Sequence, residues 1–496
     1  MSEAGTFDQA RAGFEELLGW LQGTGAASLS HGELEEQLER RGRDLLRQLL
    51  QGQLDLRTMR EQRSDEVSDA AGIRHGAVET GHTRPLTSIF GAVSVTRLAY
   101  RCRGHANLYP ADAVLNLPPE RHSHGLRRLA AVEASRGSFE EAAAALGRAT
   151  GASIGKRQVE GLSARTAADV DTFYATRPQL PAADGDALVI SADGKGIIMR
   201  PDSLRPATAA KARAATHKLS TRLSKGEKRN RKRIAEVGAV YDLTPLPRSS
   251  TDILGDPDTD VASPPAPAAK NKWLTASVVD DAAQVLAAVF DEAERRDPNH
   301  RRRWLALVDG NNHQIDRVHA EATARHVEVR VIVDFVHVLE YLWGAAWCFF
   351  PEADPAAETW VRERALAVLE GHARDVAAGI RRRASTMRLS PTTRKKADEA
   401  ARYLVNKAPY LDYPTALQSG WPIATGIIEG ACRHLVKDRM DITGARWSAK
   451  GAEAVLKLRA VRANGDFPSY WAYHLNQERR RVHESRYANG ALPRAA

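Results

Sequence analysis

The sequence predicts an α/β protein, in which a mixed β-sheet carries an all-α insertion and follows a mainly helical N-terminal region. Three observations support this prediction. Residues 1–65 are charged and helical in pattern, short apolar runs alternate with helical segments from residue 185 onward, and residues 351–420 are charged, Ala-rich and helical. The chain has 496 residues, enough for roughly three domains at about 150 residues each.

The N-terminal region, residues 1–84, has leucines spaced three, four or seven apart, as on one helix face. They are Leu34, Leu38, Leu45, Leu49 and Leu56. Residues 85–101 alternate in polarity and predict a hairpin around Gly91, which opens a second region at 85–180. Cys102 and His105 follow the hairpin, but two ligands do not make a metal site, and we interpret this stretch as a loop.

The segment 138–165 predicts a helix, a short turn and a second helix. Ser138 and Glu141 have the capping-box spacing that begins a helix. Lys156 and Arg157 begin the second helix, as in a helix-turn-helix that contacts DNA. Any pair of short helices gives the same pattern, so a DNA-reading role is one of two interpretations.

Residues 185–350 predict the sheet. Strands are expected at 187–199, 234–243, 273–279, 304–309 and 327–335, with helices at 280–297 and 313–325. This order, β-β-β-α-β-α-β, is that of a ribonuclease-H-like core. Residues 244–272 predict a disordered loop because they are rich in proline; the prolines are Pro245, Pro247, Pro257, Pro264, Pro265 and Pro267.

Two predicted strands deliver an aspartate at the strand tip. Asp193 ends the first apolar run and Asp309 ends the fourth, and glycines follow both of them. Divalent ions that act on phosphodiesters are held by such carboxylates, usually as a pair of ions. Asp-Gly is also a common turn signal, so each aspartate alone has a plainer interpretation.

A third acid is harder to choose from spacing. Glu340, Glu358 and Glu370 follow the fifth strand on helical segments, whereas Glu429 lies near the start of a later helix. Arg433 is at helical spacing from Glu429, so an ordinary ion pair between them is the alternative. The residues alone leave this choice open.

A basic run lies between the first two strands. The formal net charge of the chain is +9, which favours a polyanionic partner. Within residues 217–233 the only acid is Glu227, and such a run predicts strongly salt-dependent binding to phosphates, or else a solvated loop. The predicted DNA contacts in this run are Lys225, Lys228, Arg229, Arg231, Lys232 and Arg233.

The compartment is predicted from the cysteines and the hydropathy. There are three cysteines and no CxxC pair, so neither a zinc ribbon nor a disulfide framework is supported. The N-terminus is mildly acidic, unlike a signal peptide. The most apolar stretch, residues 329–350, is interrupted by Asp334, His337 and Glu340, and predicts a buried strand and a core helix instead of a membrane span. We therefore expect a cytoplasmic protein with no membrane partner.

Four longer stretches resemble a known family. VDGNNHQIDR, DFVHVLEYLWGAAWCFF, GWPIATGIIEGACRHLVKDRMDITGARWS and EAVLKLRAVRANGDFPSYWAYHL are similar to bacterial insertion-sequence transposases of the Kra-type group, which are related to Mutator-like DDE transposases. The resemblance runs from about residue 85 to the end of the chain. It implies a ribonuclease-H-like fold, an all-α insertion at 351–420 and a final catalytic helix in the C-terminal region 421–496.

The resemblance also implies the site. Asp193, Asp309 and Glu429 become the catalytic triad and the ligands of two Mg²⁺ or Mn²⁺ ions. Asp334 and His337 match the C/DxxH signature of Mutator-like enzymes, and with Arg433 they are predicted accessory residues. Their plainer interpretation is a buried Asp–His hydrogen bond that orients a helix. Other transposases carry a zinc-type cysteine cluster near the hairpin, whereas here Cys102 and His105 stand alone.

The expected function is therefore that of a DDE transposase. Its partners would be double-stranded DNA, as element terminal inverted repeats and target DNA, and at least a second copy of the chain. The location would be the bacterial cytoplasm, in association with the nucleoid. Two alternatives are another ribonuclease-H-like nuclease or resolvase, and a catalytically idle DNA-binding relative of a transposase.

Overall fold

The chain divides into two compact units. The computed structural model describes residues 3–180, 185–214, 227, 230–255, 266–442 and 444–493. Residues 1–173 and 466–496 form the first unit, and residues 174–465 form the second. The predicted C-terminal region 421–496 is thus divided between the two units.

The first unit is mainly helical and contains one hairpin, as the sequence predicts. The strands are β1, Ala77–Ser88, and β2, Gly91–Arg101. The longer helices are Asp8–Gln22, His31–Met59, His124–Arg136, Phe139–Thr150, Lys156–Thr166 and Phe467–Val482. Shorter helical segments are Glu3–Gly5, Thr24–Ala27, Pro110–Val114, Glu484–Arg486 and Ala488–Gly490, and the helix Val170–Ala175 begins in this unit.

The hairpin turns at Gly91, which confirms the prediction. Ser88 pairs with Gly91 at its end, and Gly91 has a φ of 125°, a region that favours glycine. The inward residues Leu86, Val93 and Val95 form a small core with Leu54 of the long helix. The hairpin is therefore held by packing against the helix His31–Met59.

The predicted helix–turn–helix pair is confirmed as structure. The Ser138 hydroxyl accepts a hydrogen bond from the Glu141 amide (3.0 Å), and the Glu141 carboxylate accepts one from the Ser138 amide (2.7 Å). This capping box begins the helix, and Gly151, at φ 68°, ends it. Leu126, Leu146 and Leu162 join this pair to the helix His124–Arg136 in one core.

The second unit is built on a mixed five-stranded sheet. Its strands are β3, Ala187–Ile198; β4, Lys232–Leu243; β5, Ala269–Ser277; β6, Trp304–Val308; and β7, Val329–Val333. The order is β5-β4-β3-β6-β7. β3, β4 and β5 are antiparallel neighbours, while β6 is parallel to both β3 and β7. β6 is buried along its whole length, which explains its continuous apolar run.

Helices surround this sheet. They are Pro206–Ala214, Ser250–Leu254, Ala282–Arg296, Asn312–Ala324, Phe335–Ala346, Pro355–Leu369, Ala373–Thr386, Lys395–Lys407, Tyr413–Gln418, Gly426–Ala431, Asp438–Met440 and Ala449–Ala463. A π-helix, Cys432–Lys437, and the short turns Pro201–Ser203 and Ala408–Tyr410 complete the unit. Residues 351–420, predicted as an all-α insertion, carry helices and no strand.

The prediction of a disordered loop at 244–272 is wrong over its described part. The amides of Leu246 and Arg248 donate hydrogen bonds to the carbonyls of Gly420 (3.1 Å) and Leu417 (3.0 Å). A capping box of Ser249 and Asp252 then begins a short helix, and β5 starts at Ala269. Proline removes donors but leaves the other amides free to bond, so composition alone misjudged this segment. Residues 256–265 lie outside the described residues.

Within the described parts of the chain, every helix is too short or too polar to cross a bilayer.

Candidate metal centre

Asp193 lies inside β3, beyond the end of the parallel ladder. The last parallel pair with β6 is Ser191 with Leu307, whereas the antiparallel pairing with β4 continues to Ile198. The prediction that Asp193 sits at a strand tip is therefore wrong. The strand continues because Ile197 is fully buried and β4 supplies a partner for the backbone. Asp193 nevertheless lies beyond the last residue of β3 that pairs with β6. Its side chain lines a pocket.

Asp309 follows β6 directly, as predicted. Its Oδ1 accepts a hydrogen bond from the Asn311 amide (2.8 Å). Its carbonyl accepts one from the hydroxyl of Tyr403 (3.2 Å), on the helix Lys395–Lys407. The insertion therefore holds the backbone of the loop that presents Asp309.

Asp193 and Asp309 line one pocket of about 340 Å³. A third carboxylate, Glu236, also lines it. The other polar residues in the wall are Asn311, His313, Gln314 and Arg317. Three carboxylates face one guanidinium group here, which favours a cation as occupant.

Glu236 was missed by the sequence reasoning. It pairs with Gly194 across β3 and β4, one residue beyond Asp193. Burial raises the pKa of Glu236; Asp193 and Asp281 add to the rise, against Arg317 and Arg205. The signal in the sequence was a carboxylate within the apolar stretch 234–241.

Gly194 leaves room for this arrangement. A Cβ at Gly194 would lie 2.7 Å from Cγ2 of Ile234 and 3.2 Å from Oε2 of Glu236. A larger residue would therefore push Glu236 away from the pocket. These close contacts explain sterically why position 194 is a glycine, in addition to the common use of Asp-Gly in turns.

The side chain of Gln314 lines the same pocket and has an oxygen that is available to a cation. Its amide nitrogen donates to the carbonyl of Ala192, next to Asp193, and ties the helix Asn312–Ala324 to β3. Its Oε1 is buried and has no hydrogen-bond partner among the described residues. An unpaired acceptor beside three carboxylates fits a site for a divalent ion with oxygen ligands.

Glu429 is exposed and lies on the helix Gly426–Ala431. This helix contacts β3 and β4, and the π-helix that follows it contacts β3. Cys432, three residues after Glu429, donates a weak hydrogen bond from its thiol to Oδ2 of Asp193 (3.4 Å). Burial, with the Asp193 charge, raises the pKa of Cys432 well above its ordinary value, so the thiol stays protonated.

Glu429 is grouped with Asp334 and His337. One ligand atom from each of the three lies within 4.8 Å of the others. Over the described residues, this is the one group of three metal-ligating side chains at such distances. The structure thus places the predicted triad in two adjoining groups: Asp193 and Asp309 with Glu236, and Glu429 with Asp334 and His337.

Asp334 is fully buried and connects the Glu429 helix to β7. Its carboxylate accepts from the Val336 amide (2.7 Å), which caps the helix Phe335–Ala346. It also accepts from the amide (3.2 Å) and the hydroxyl of Thr425, the residue before the Glu429 helix. Burial opposes ionisation, but His337 and Thr425 hold the pKa of Asp334 below its ordinary value.

His337 lies with its Nδ1 3.5 Å from Oδ2 of Asp334. At this length the contact is mainly electrostatic, and Nδ1 has no hydrogen bond of good geometry. The Asp334 carboxylate, against the effect of burial, raises the pKa of His337 to about 9, and Glu340 and Asp309 add to the rise. The predicted buried Asp–His hydrogen bond is therefore secondary to the bond between Asp334 and Thr425.

The other predicted acids and Arg433 are not members of this group of three. Glu340 is exposed on the helix Phe335–Ala346. Glu358 is exposed on the helix Pro355–Leu369 and Glu370 at its C-cap. Arg433 is exposed and lies 3.8 Å from Asp438, so the alternative interpretation of Glu429, an ion pair with Arg433, is wrong.

The predicted DNA contacts divide into two sets. Lys225, Lys228 and Arg229 lie outside the described residues. Lys232 is exposed at the start of β4 and Arg231 is half-buried before it. Arg233 is half-buried and its guanidinium donates to the carbonyls of Ser203 and Val279 (3.3 Å each), so it supports the fold locally.

Lys156 and Arg157 are exposed at the start of the helix Lys156–Thr166, as a DNA-contacting pair requires. Lys156 lies 3.6 Å from Glu140 on the preceding helix. Near the hairpin, the imidazole of His105 lies 3.3 Å from Asp69, and the thiol of Cys102 faces the carbonyl of Arg103. The two residues meet only through the backbone, where the His105 amide donates to the Cys102 carbonyl (3.1 Å). Cys102 and His105 do not form a ligand pair.

Comparisons with known proteins add no assignment to this geometry. No protein-family model matches the chain, and a search of curated proteins finds no match.

Proposed function

We propose that the chain is a DDE-type transposase that cleaves DNA at the ends of an insertion sequence and joins them to target DNA. The observation that carries this proposal is the shared pocket of Asp193 and Asp309 on neighbouring parallel strands. The Glu429 helix reaches the same place, since Cys432 contacts Asp193. Two of the stretches that resemble Kra-type transposases contain Asp309, Glu429 and Cys432.

The strand order favours the fold that such enzymes use. A central strand flanked by an antiparallel pair on one side and two parallel strands on the other is the arrangement of a ribonuclease-H-like core. The helices within residues 351–420 would be the all-α insertion. A fold hosts many activities, so the carboxylates and not the sheet carry the functional argument.

The carboxylate side chains of this site are suitable ligands for divalent ions. Asp193, Asp309 and Glu429 would hold Mg²⁺ or Mn²⁺, and Glu236 is placed to join the first two. When bound, such ions neutralise phosphate charge and make a water or a 3′-hydroxyl a better nucleophile at neutral pH. Glu429 shares a group with Asp334 and His337, whose ligand atoms lie within 4.8 Å of one another, and neither Asp193 nor Asp309 belongs to that group.

The chain's own residues have separate tasks. Gln314 and Tyr403 hold the backbone on which Asp193 and Asp309 sit. Asp334 holds the start of the Glu429 helix through Thr425. His337, protonated at neutral pH, presents a positive charge beside Glu429 that suits a phosphate oxygen of the DNA.

Removal of one carboxylate at a time tests the proposal. Asp193→Asn, Asp309→Asn and Glu429→Gln should each abolish Mg²⁺-dependent cleavage of DNA that carries the element ends, without loss of folding. Glu328→Gln is the control, because Glu328 is exposed and its one ion pair among the described residues is with Arg303. Retention of cleavage by all three variants would refute the mechanism.

A second assay separates the proposal from its alternatives. A transposase joins the freed 3′ end to target DNA, whereas a resolvase cuts without joining. Joined products on a supercoiled plasmid, with Mg²⁺ or Mn²⁺, support the transposase. Cleavage without joining supports the nuclease, and DNA binding without cleavage supports an idle relative.

A further inference from the structure

A basic cleft lies in the first unit. It has a volume of about 420 Å³ and includes residues from the hairpin, the 117–121 loop and the end of the chain. Its walls are stiff, because Pro85, Pro118 and Pro119 line them beside Tyr109 and Tyr487. Four arginines also line it, namely Arg84, Arg97, Arg121 and Arg486.

Two of these arginines are already paired. Arg97 forms a two-point ion pair with Asp112 (2.7 and 3.2 Å). Arg84 lies 3.7 Å from the same carboxylate and donates to the carbonyls of Pro118 and Glu120 (2.9 Å each). Among the described residues that line the cleft, Asp112 is the one acid. Its contacts with Arg84 and Arg97 hold these three side chains in place.

The other two arginines have no such partner. Arg121 and Arg486 are exposed, and neither forms an ion pair with a carboxylate among the described residues. Four guanidinium groups therefore face one carboxylate, which leaves an excess of positive charge at the mouth of the cleft. His483 adds no charge at neutral pH, because burial lowers its pKa.

The chemistry of the cleft favours a phosphate group. A guanidinium group can bind two phosphate oxygens at once. Arg121 and Arg486 are free to bind in this way, so an anion in the cleft would meet several donors without a change of fold. A duplex offers phosphates in a regular row, so one contact of this kind adds to others along the backbone. The alternative anion, a run of acidic side chains, is flexible and loses more entropy on binding.

We propose that this cleft binds a backbone phosphate of double-stranded DNA through Arg121 and Arg486. The inference rests on the proposed function, which supplies the DNA, and it assigns a contact surface that is separate from the metal centre. It does not depend on the basic run at 217–233 or on the helix pair at 138–165.

Paired substitutions in the full chain test this site. The probe is a fluorescent 30-base-pair duplex of arbitrary sequence, and anisotropy is read over a series of salt concentrations. Arg121→Ala with Arg486→Ala should weaken binding about tenfold or more at low salt and should flatten the log K against log[salt] slope by roughly 1–2. Since both side chains are exposed and unpaired, folding should be unchanged, and circular dichroism checks it.

The matched control is Arg103→Ala with Arg128→Ala, which removes the same charge from exposed positions in the same unit. A similar loss in the control, or no loss in the cleft variant, would overturn the proposal. Competition by poly-glutamate that is equally sensitive to the cleft substitutions would reassign the cleft to acidic proteins and also overturn it. Because binding is measured without cleavage, a failure here is distinct from a failure of Asp193→Asn to abolish activity.

Discussion

Gly310 is the residue at which the Asp309 loop is most tightly constrained. Its φ is 89°, and an added Cβ would lie 2.6 Å from the hydroxyl of Tyr403. We therefore predict that Gly310→Ala destabilises the second unit by about 1–3 kcal/mol, from backbone strain and displacement of Tyr403. Urea unfolding followed by circular dichroism measures it.

Gly344 gives the control for that substitution. It lies within the helix Phe335–Ala346, and a Cβ there would meet only Lys396, at ordinary contact distances of 3.8 and 4.0 Å. Gly344→Ala should be neutral or stabilising by up to about 1 kcal/mol. Equal effects of the two substitutions would contradict the role given to Tyr403.

Glu236 leads to a second prediction at this scale. Because it shares the pocket with Asp193 and Asp309, Glu236→Gln should weaken divalent-ion binding several-fold while the fold is retained. Titration calorimetry with Mn²⁺ measures the affinity, and Glu328→Gln again serves as control. An unchanged affinity would limit the ligands in this pocket to the two aspartates.

Sequence patterns identify Asp193 and Asp309, but they do not identify the residues that lie beside these two aspartates. Asp193 and Asp309 were found because each follows an apolar run, which is a local signal. Cys432 and Tyr403 approach the site from distant helices, which local patterns do not indicate. Glu236 stands out as a carboxylate within its strand, but only the sheet register brings it beside Asp193. For the same reason the choice of Glu429 over Glu340 needed the family resemblance.

At the scale of elements, Asp334 links two helices and a strand. Its buried carboxylate caps the helix Phe335–Ala346 and accepts two hydrogen bonds from Thr425, which precedes the Glu429 helix. The amide of Phe335 also donates to the carbonyl of Ile423 (2.8 Å). The position of Glu429 therefore depends on contacts made four residues earlier in the chain.

Thr425 tests this link. Thr425→Val keeps the shape but removes the hydroxyl donor from a buried charge, and it should destabilise the unit by about 1–3 kcal/mol. Hydrogen exchange should speed up in residues 426–437. Thr425→Ser retains the hydroxyl and should behave much more like the parent; if Ser and Val were equally harmful, the methyl contact and not the hydrogen bond would be responsible.

The elements themselves were predicted more fully than their contacts. The hairpin, the helix pair at 138–165 and the five strands follow from periodicity, turn residues and caps. Two predictions are wrong. The proline-rich residues 244–255 form hydrogen bonds and a helix, and Asp193 lies inside β3 and not at its tip, because β4 pairs with the strand on both sides of it.

At the scale of the whole molecule, the end of the chain returns to the first unit. The helix Phe467–Val482 brings Glu478 to the fully buried Arg127 (2.6 Å). It also brings His474 and Arg481 to Asp169 (2.7 and 2.9 Å). These partners are about three hundred or more residues apart, so no local pattern indicates that part of the arginine-rich end of this helix is internal.

This network leads to a prediction about pH. Burial opposes the shift, but hydrogen bonds from His474 and Arg481 lower the pKa of Asp169 to about 2. The unfolded carboxyl titrates near its ordinary value of 3.8, so the ionised form stabilises the unit above about pH 4. That contribution is lost as the pH falls from about 4 towards 2.

Asp169→Asn should therefore destabilise the first unit by roughly 1–2 kcal/mol at pH 7, a figure reduced for solvent screening. The deficit should shrink as the pH falls below 4, because the parent then loses the same charge. Hydrogen exchange in the helix Phe467–Val482 reports on this unit alone, and Glu133→Gln, in an exposed pair with Arg136, is the control. A deficit that stays constant from pH 7 to pH 3 would show that the hydrogen-bond geometry of Asp169, and not its charge, joins the end of the chain to the first unit.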